Sequence, residues 1–117
     1  MPSLKKEDLL LAEAKKDLEA RCYNKAMSSA YFALRKCAER FLLSHGFRRV
    51  PRRDDKLANA IDNLGLVEVA RALRSLYALR VIADYGEQSI SREEAEDAVK
   101  IAENFIGRLK SVEEADR

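Results

Sequence analysis

The 117-residue chain has no tryptophan, one histidine, two cysteines, two prolines and four glycines. Each shortage excludes something. No run of 18 uncharged apolar positions occurs, so no membrane-spanning helix and no membrane partner are expected. So few breakers over this length argue against an all-β sandwich and for long helices. A lone histidine leaves an ordinary zinc site short of ligands, and no metal or cofactor is expected. Cys22 and Cys37 would lie about 22 Å apart along one helical rod. That is too far for a bond within one chain, so both read as reduced packing thiols. The opening MPSLKKEDLL reaches acidic residues early and has no apolar h-region, so no signal peptide is expected and the cytoplasm is the default. One glutamine, four asparagines and abundant Glu, Lys and Arg fit a thermophilic source.

What is present is 47% apolar and 36% charged, enough for one domain over residues 1–117, with its core at about 4–110. Net charge is only +2, but its distribution is uneven. Residues 35–83 hold eleven basic and five acidic groups, and residues 84–117 hold five basic and ten acidic. A basic middle followed by an acidic tail suits a polyanion ligand or two subunits laid head to tail. Salt-bridged helix faces account for part of it equally well.

Apolar residues recur at helical spacing throughout. Leu4, Leu11, Ala14 and Leu18 keep one face of a first helix ending near Ala20, and Leu10 widens it. Tyr23, Ala26, Met27, Ala30, Tyr31, Leu34, Cys37, Ala38, Phe41 and Leu42 follow steps of three and four without a miss. They predict a second helix over 24–44, with Gly46 as its left-handed terminator. The breaker GFRRVPRRDD follows. Asp54 or Asp55 is expected to cap a short third helix with Leu57, Ala60, Ile61 and Leu64 inward, ended by Gly65. The fourth helix, about 67–83, is apolar over most of its circumference, through Val69, Ala70, Leu73, Leu76, Tyr77, Leu79, Val81 and Ile82. Such a helix should be central or covered by a second chain. Ser91 and Glu94 form a capping box for a fifth helix with Ala95, Ala98, Val99, Ala102, Phe105, Ile106 and Leu109 inward. The closing SVEEADR is expected to fray. The fold class is all-α, an antiparallel bundle of four long helices and one short one.

Three groups of residues could carry chemistry. Arg48, Arg49, Arg52 and Arg53 crowd six positions beside Phe47 and Pro51. Forked guanidinium donors suit phosphate, although Asp54 and Asp55 would partly neutralise them. Arg80 and Asp84 lie one turn apart on the fourth helix, where charges must meet each other, a neighbouring helix, a second subunit or a ligand. Tyr85 follows directly, and Gly86 closes the helix. His45, the only imidazole, sits at the end of the second helix, where a cationic ring would meet the helix dipole. No serine has an identifiable histidine partner, and the glycines form no phosphate cradle.

The run AKKDLEARCYNKAMSSAYFALRKCAERFLLSHG, then LYALRVIADYG, then SREEAEDAVKIAENFIGRL resembles the HEPN family, over roughly Leu9 to Leu109. The most specific parts are Ala30-Tyr31-Phe32-Ala33 and the Arg80…Ala83-Asp84-Tyr85 ending of the fourth helix. The resemblance implies a helical bundle that pairs as a homodimer, with the polar helix ends of two subunits lining a shared cleft. Ribonuclease members carry an arginine, four to six intervening residues and a histidine there, and many are toxins neutralised by a minimal nucleotidyltransferase. Here Arg80 matches the arginine, position 85 is tyrosine, and no histidine follows. A tyrosine hydroxyl is a poor general base at neutral pH. Arg40 and His45 also satisfy the spacing, but on the second helix, where the resemblance supplies only packing positions.

Three functions follow from this. The first is a homodimeric module binding a nucleotide, RNA or a nucleotidyltransferase partner without catalysis, through Arg80, Asp84, Tyr85 and the four loop arginines. The second is an endoribonuclease with Arg80 assisted by Asp84 or Tyr85. The third is a pure interaction subunit.

Overall fold

A computed structural model describes residues 5–115. Five helices follow in chain order: α1 (Lys6–Glu19), α2 (Tyr23–Ser44), α3 (Asp54–Asn63), α4 (Val67–Tyr85) and α5 (Arg92–Ala115). Among the described residues there is no strand. Four helices are long and α3 is short, as the periodicity predicts. Leu4 lies outside the described residues.

The molecule measures 41 × 34 × 20 Å. Its smallest dimension is two helix diameters, since one helix with its side chains is about 10 Å across. In two layers only one helix can be surrounded, and it is α2, which packs against all four others. Ten of its residues are buried, nine of them on the predicted stripe, with Ala33 added. The central helix is therefore α2 and not α4, which leaves cover by a second chain as the other expectation for α4. Its Val69, Ala70, Ala72, Leu73 and Leu76 are buried, but Val67, Tyr77 and Ile82 are exposed. On α3, Ala58 turns inward while Leu64 is exposed, because the helix gives up its last turn at Gly65.

The ends of the helices show which local signals prevailed. The box on α5 forms as predicted: Glu94 N–H donates to Ser91 Oγ at 3.1 Å, and Ser91 N–H to Glu94 Oε1 at 3.0 Å. Gly46 takes φ +95° and lets Phe47 N–H reach back to the Leu42 carbonyl. Gly86 closes α4 as expected, in extended backbone with φ −77°. A Cβ there would stand 2.7 Å from the Ile82 carbonyl oxygen, so the position needs glycine for close approach. Neither Asp54 nor Asp55 caps α3. Arg53 is the cap residue, without a side-chain capping bond, and Asp54 is the first helical residue, its carboxylate bound elsewhere.

Over residues 111–115 the closing segment also departs from expectation, since α5 stays helical through Ala115, while residues 116 and 117 lie outside the described residues. The reason is Arg40. Its Nε and Nη2 donate to Glu7 Oε1 at 2.9 and 2.6 Å, and its Nη1 to Glu113 Oε2 at 2.7 Å. One guanidinium thus ties α1, α2 and α5 together. Glu7 is 2% exposed, the only buried charged residue among those described. Burial works against the Arg40 charge, but the two carboxylates outweigh it and hold its pKa above the usual arginine value. Cys37 lies beneath this triad. Burial above all, then the charge of Glu7, pushes its thiol up to about 12. Cys22 is half-buried, and both thiols are free.

Candidate functional site

The polar end of α4 lies across the N-terminal half of α2. Arg80 is one-fifth exposed, and its Nε stands 2.9 Å from Asp84 Oδ2. The contact is one of charge, since that buried nitrogen has no aligned hydrogen bond. The guanidinium carbon is 4.9 Å from the centre of the Phe32 ring and 5.8 Å from that of Tyr85. A cation set between two aromatic rings is held by their quadrupoles as well as by its counter-charge.

Asp84 is in the last turn of α4, where the helix dipole disfavours a negative charge. Two neighbours offset this: Arg80, and Ser28 Oγ, which donates to Asp84 Oδ1 at 2.7 Å. Tyr85 is three-quarters exposed. The structure thus brings Arg80, Asp84 and Tyr85 together, as the sequence suggests, and adds Ser28 and Phe32 from α2. Sequence reasoning missed the roles of those two. They sit four apart and off the counted apolar stripe, and a phenylalanine so placed was the available signal.

One turn further along α2 is a second polar cluster. Tyr31 packs against Phe32 and Tyr77, with ring centres 5.3 and 5.8 Å away, and its hydroxyl donates to Asp54. Burial, then the Asp54 bond, raises the Tyr31 pKa well above the ordinary tyrosine value. Arg35 Nη1 donates to the same carboxylate at 2.8 Å, and its Nη2 to the Pro51 and Arg52 carbonyls at 3.2 and 3.1 Å. Arg35 also pairs with Glu39. Desolvation acts against its charge, but Tyr31, Asp54 and Glu39 more than reverse it, leaving the Arg35 pKa raised.

Arg48, Arg49, Arg52 and Arg53 are all exposed on the loop held this way. Of these four, only Arg53 finds a carboxylate among the described residues, at Asp55. The stripe Ser28, Phe32, Arg35 runs from the Arg80 end to the arginine loop over about 10 Å of helix rise.

His45 belongs elsewhere. It is the residue that ends α2, its ring stacks on Phe41 with centres 4.0 Å apart, and its Nδ1 lies 2.9 Å from the Phe41 carbonyl oxygen. Thirteen residues separate it from Phe32, about 20 Å along the helix. Arg40, the other half of the coincidental spacing, is committed to Glu7 and Glu113. Among the described residues no group of three or more His, Cys, Asp or Glu is placed to hold a metal. No helix among them is long and apolar enough to cross a membrane.

An all-helical bundle with an arginine, an acid and a tyrosine at the end of α4 is the kind of domain that the sequence resemblance anticipates. The sequence profile of the HEPN domain matches residues 5–112, and the chain belongs to the HEPN family. No curated protein matches the sequence significantly.

Proposed function

We propose that the chain is a homodimeric HEPN module that binds RNA or a nucleotide at the α4 end without cleaving it. Membership in the family supports a nucleotide- or RNA-related role. The observation that carries the reading is the setting of Arg80: a guanidinium between two aromatic rings, with one carboxylate partner and no imidazole beside it. Such a site supplies a cation for phosphate and an exposed ring, Tyr85, for a base to stack on. It supplies no group suited to take a proton from a ribose hydroxyl near pH 7. The outer face of α4, with Val67, Ile82 and Tyr85 exposed, supports a two-fold pairing that would place two Arg80 sites side by side. In this reading the four loop arginines are further phosphate contacts, and a minimal nucleotidyltransferase is the partner the family suggests.

The test combines light scattering with binding of a labelled single-stranded RNA by wild type and by Arg80→Ala. A dimeric mass, and binding weakened by about tenfold in a folded mutant, are expected for the loss of a charge-assisted phosphate contact. A monomer, or unchanged affinity in the mutant, contradicts the reading.

A further inference from the structure

The arginine loop is built rather than merely charged. Its sequence alternates anchors and pairs: Phe47, Arg48-Arg49, Val50-Pro51, Arg52-Arg53, Asp54. Phe47 and Val50 are partly buried against the core, and the carbonyls of Pro51 and Arg52 accept hydrogen bonds from Arg35. Asp54 closes the loop from its far side by accepting from both Arg35 and Tyr31. Each arginine pair is therefore bracketed by fixed backbone while its side chains are exposed, and Arg49 and Arg52, one from each pair, line an open depression with Val50 and Pro51.

Two carboxylates follow the arginines, and they differ. Asp55 is more than half exposed and reaches only Arg53 and its local backbone. Asp54 is about one-quarter exposed and turns inward, away from the four arginines, to the Tyr31–Arg35 pair. Only Asp55 is placed to neutralise the loop. Asp54 shapes it.

We propose that Arg35, Asp54 and Tyr31 form a latch that sets the loop as a preorganised platform for the phosphodiester backbone of a single strand. Preorganisation matters because four unconstrained arginines would lose rotamer and backbone freedom on binding. The latch has removed the backbone part of that cost before the ligand arrives. Arg35 and Asp54 are positioning residues, since neither has to touch the ligand. The inference rests on the polyanion-binding reading above and adds to it the device that shapes the arginine loop.

The two aspartates give a test of sign. If the loop is only a charge cloud, removing either carboxylate makes it more positive, and both Asp54→Asn and Asp55→Asn tighten binding. If the latch operates, the two variants move in opposite directions. The experiment measures affinity for labelled twelve-nucleotide oligouridylate and its deoxyribose counterpart, across a salt series, with the full chain. We expect Asp55→Asn to tighten binding by up to about twofold and Asp54→Asn to weaken it by about fivefold or more. Arg35→Lys keeps the charge but loses the three-way fork, and it should weaken binding like Asp54→Asn. Arg49→Ala with Arg52→Ala removes two phosphate contacts and should reduce the salt slope by about 1.4. Ser91→Ala, which weakens the fold at the α5 cap, should leave affinity unchanged and so separates loop positioning from general stability.

Tightening by Asp54→Asn overturns the latch. If that variant does not fold, Tyr31→Phe decides, because it removes one hydroxyl from Asp54: weaker binding supports the latch, and unchanged binding overturns it. A preference above about tenfold for either sugar overturns the assignment to backbone phosphates. Wild type that binds neither strand removes the polyanion reading and the latch together, whereas binding with the wrong sign for Asp54→Asn removes the latch alone.

Discussion

Asp84 is held from two sides, by Ser28 Oγ at 2.7 Å on one oxygen and by Arg80 Nε at 2.9 Å on the other. The acid therefore restrains the arginine and weakens its field at the same time. Asp84→Asn preserves an acceptor for Ser28 while removing the counter-charge. Half-buried pairs of this kind are worth up to about 1 kcal/mol, so the variant should bind a phosphate ligand up to about fivefold more tightly. Ser28→Ala should instead lower stability by about 1 kcal/mol. Fluorescence anisotropy and thermal melts separate the two effects, and an Asp84→Asn variant that binds more weakly would speak against Arg80 as the phosphate contact.

The Glu7–Arg40–Glu113 triad makes a stability prediction independent of function. Arg40→Met leaves Glu7 buried without its counter-charge and should cost about 3–5 kcal/mol. Adding Glu7→Leu removes the stranded charge and should recover most of that loss, because the pocket then holds apolar groups. Urea titrations of the single and double variants check this. A double variant as unstable as Arg40→Met alone would mean that the triad acts through Glu113.

Alkaline pH should destabilise the fold in two stages. Burial pushes the Cys37 thiol up to about 12 in the folded chain, against the ordinary cysteine value of about 9 that holds in the unfolded one. The native state therefore keeps its proton where the unfolded state has released it, and stability is full below pH 9 and falls as pH rises toward 12. Tyr31, also raised, adds to the loss above pH 10. Melting temperature against pH should fall from about 9 upward, and Cys37→Ala should remove the first part of that fall. At pH 8 a thiol reagent should label half-buried Cys22 rapidly and Cys37 only on unfolding.

Helix positions were legible in the sequence because they rest on local periodicity. The ten-residue stripe of α2 and the Ser91–Glu94 box need only neighbours within a few residues, and both form as expected. Asp54 was misread for the opposite reason. A carboxylate before a helix has a local option, the amide two or three residues on, and here two distant donors on α2 took it instead. Glu7 and Glu113 were unread for the same cause, since their shared partner, Arg40, is 33 residues from one and 73 from the other. The end of α4 was half legible. Arg80 and Asp84 are one turn apart on one helix, but Ser28 and Phe32 join them only through the packing of α2 on α4.

The most direct measurement is a time course of labelled single-stranded RNA with purified protein, following cleavage and retention together, with Arg80→Ala alongside. An arginine held between Phe32 and Tyr85 with no imidazole at hand predicts RNA that is retained by wild type and stays intact. Cleavage by wild type that disappears in a folded, dimeric Arg80→Ala variant would contradict this, and would give Asp84 or Tyr85 the role of the missing histidine.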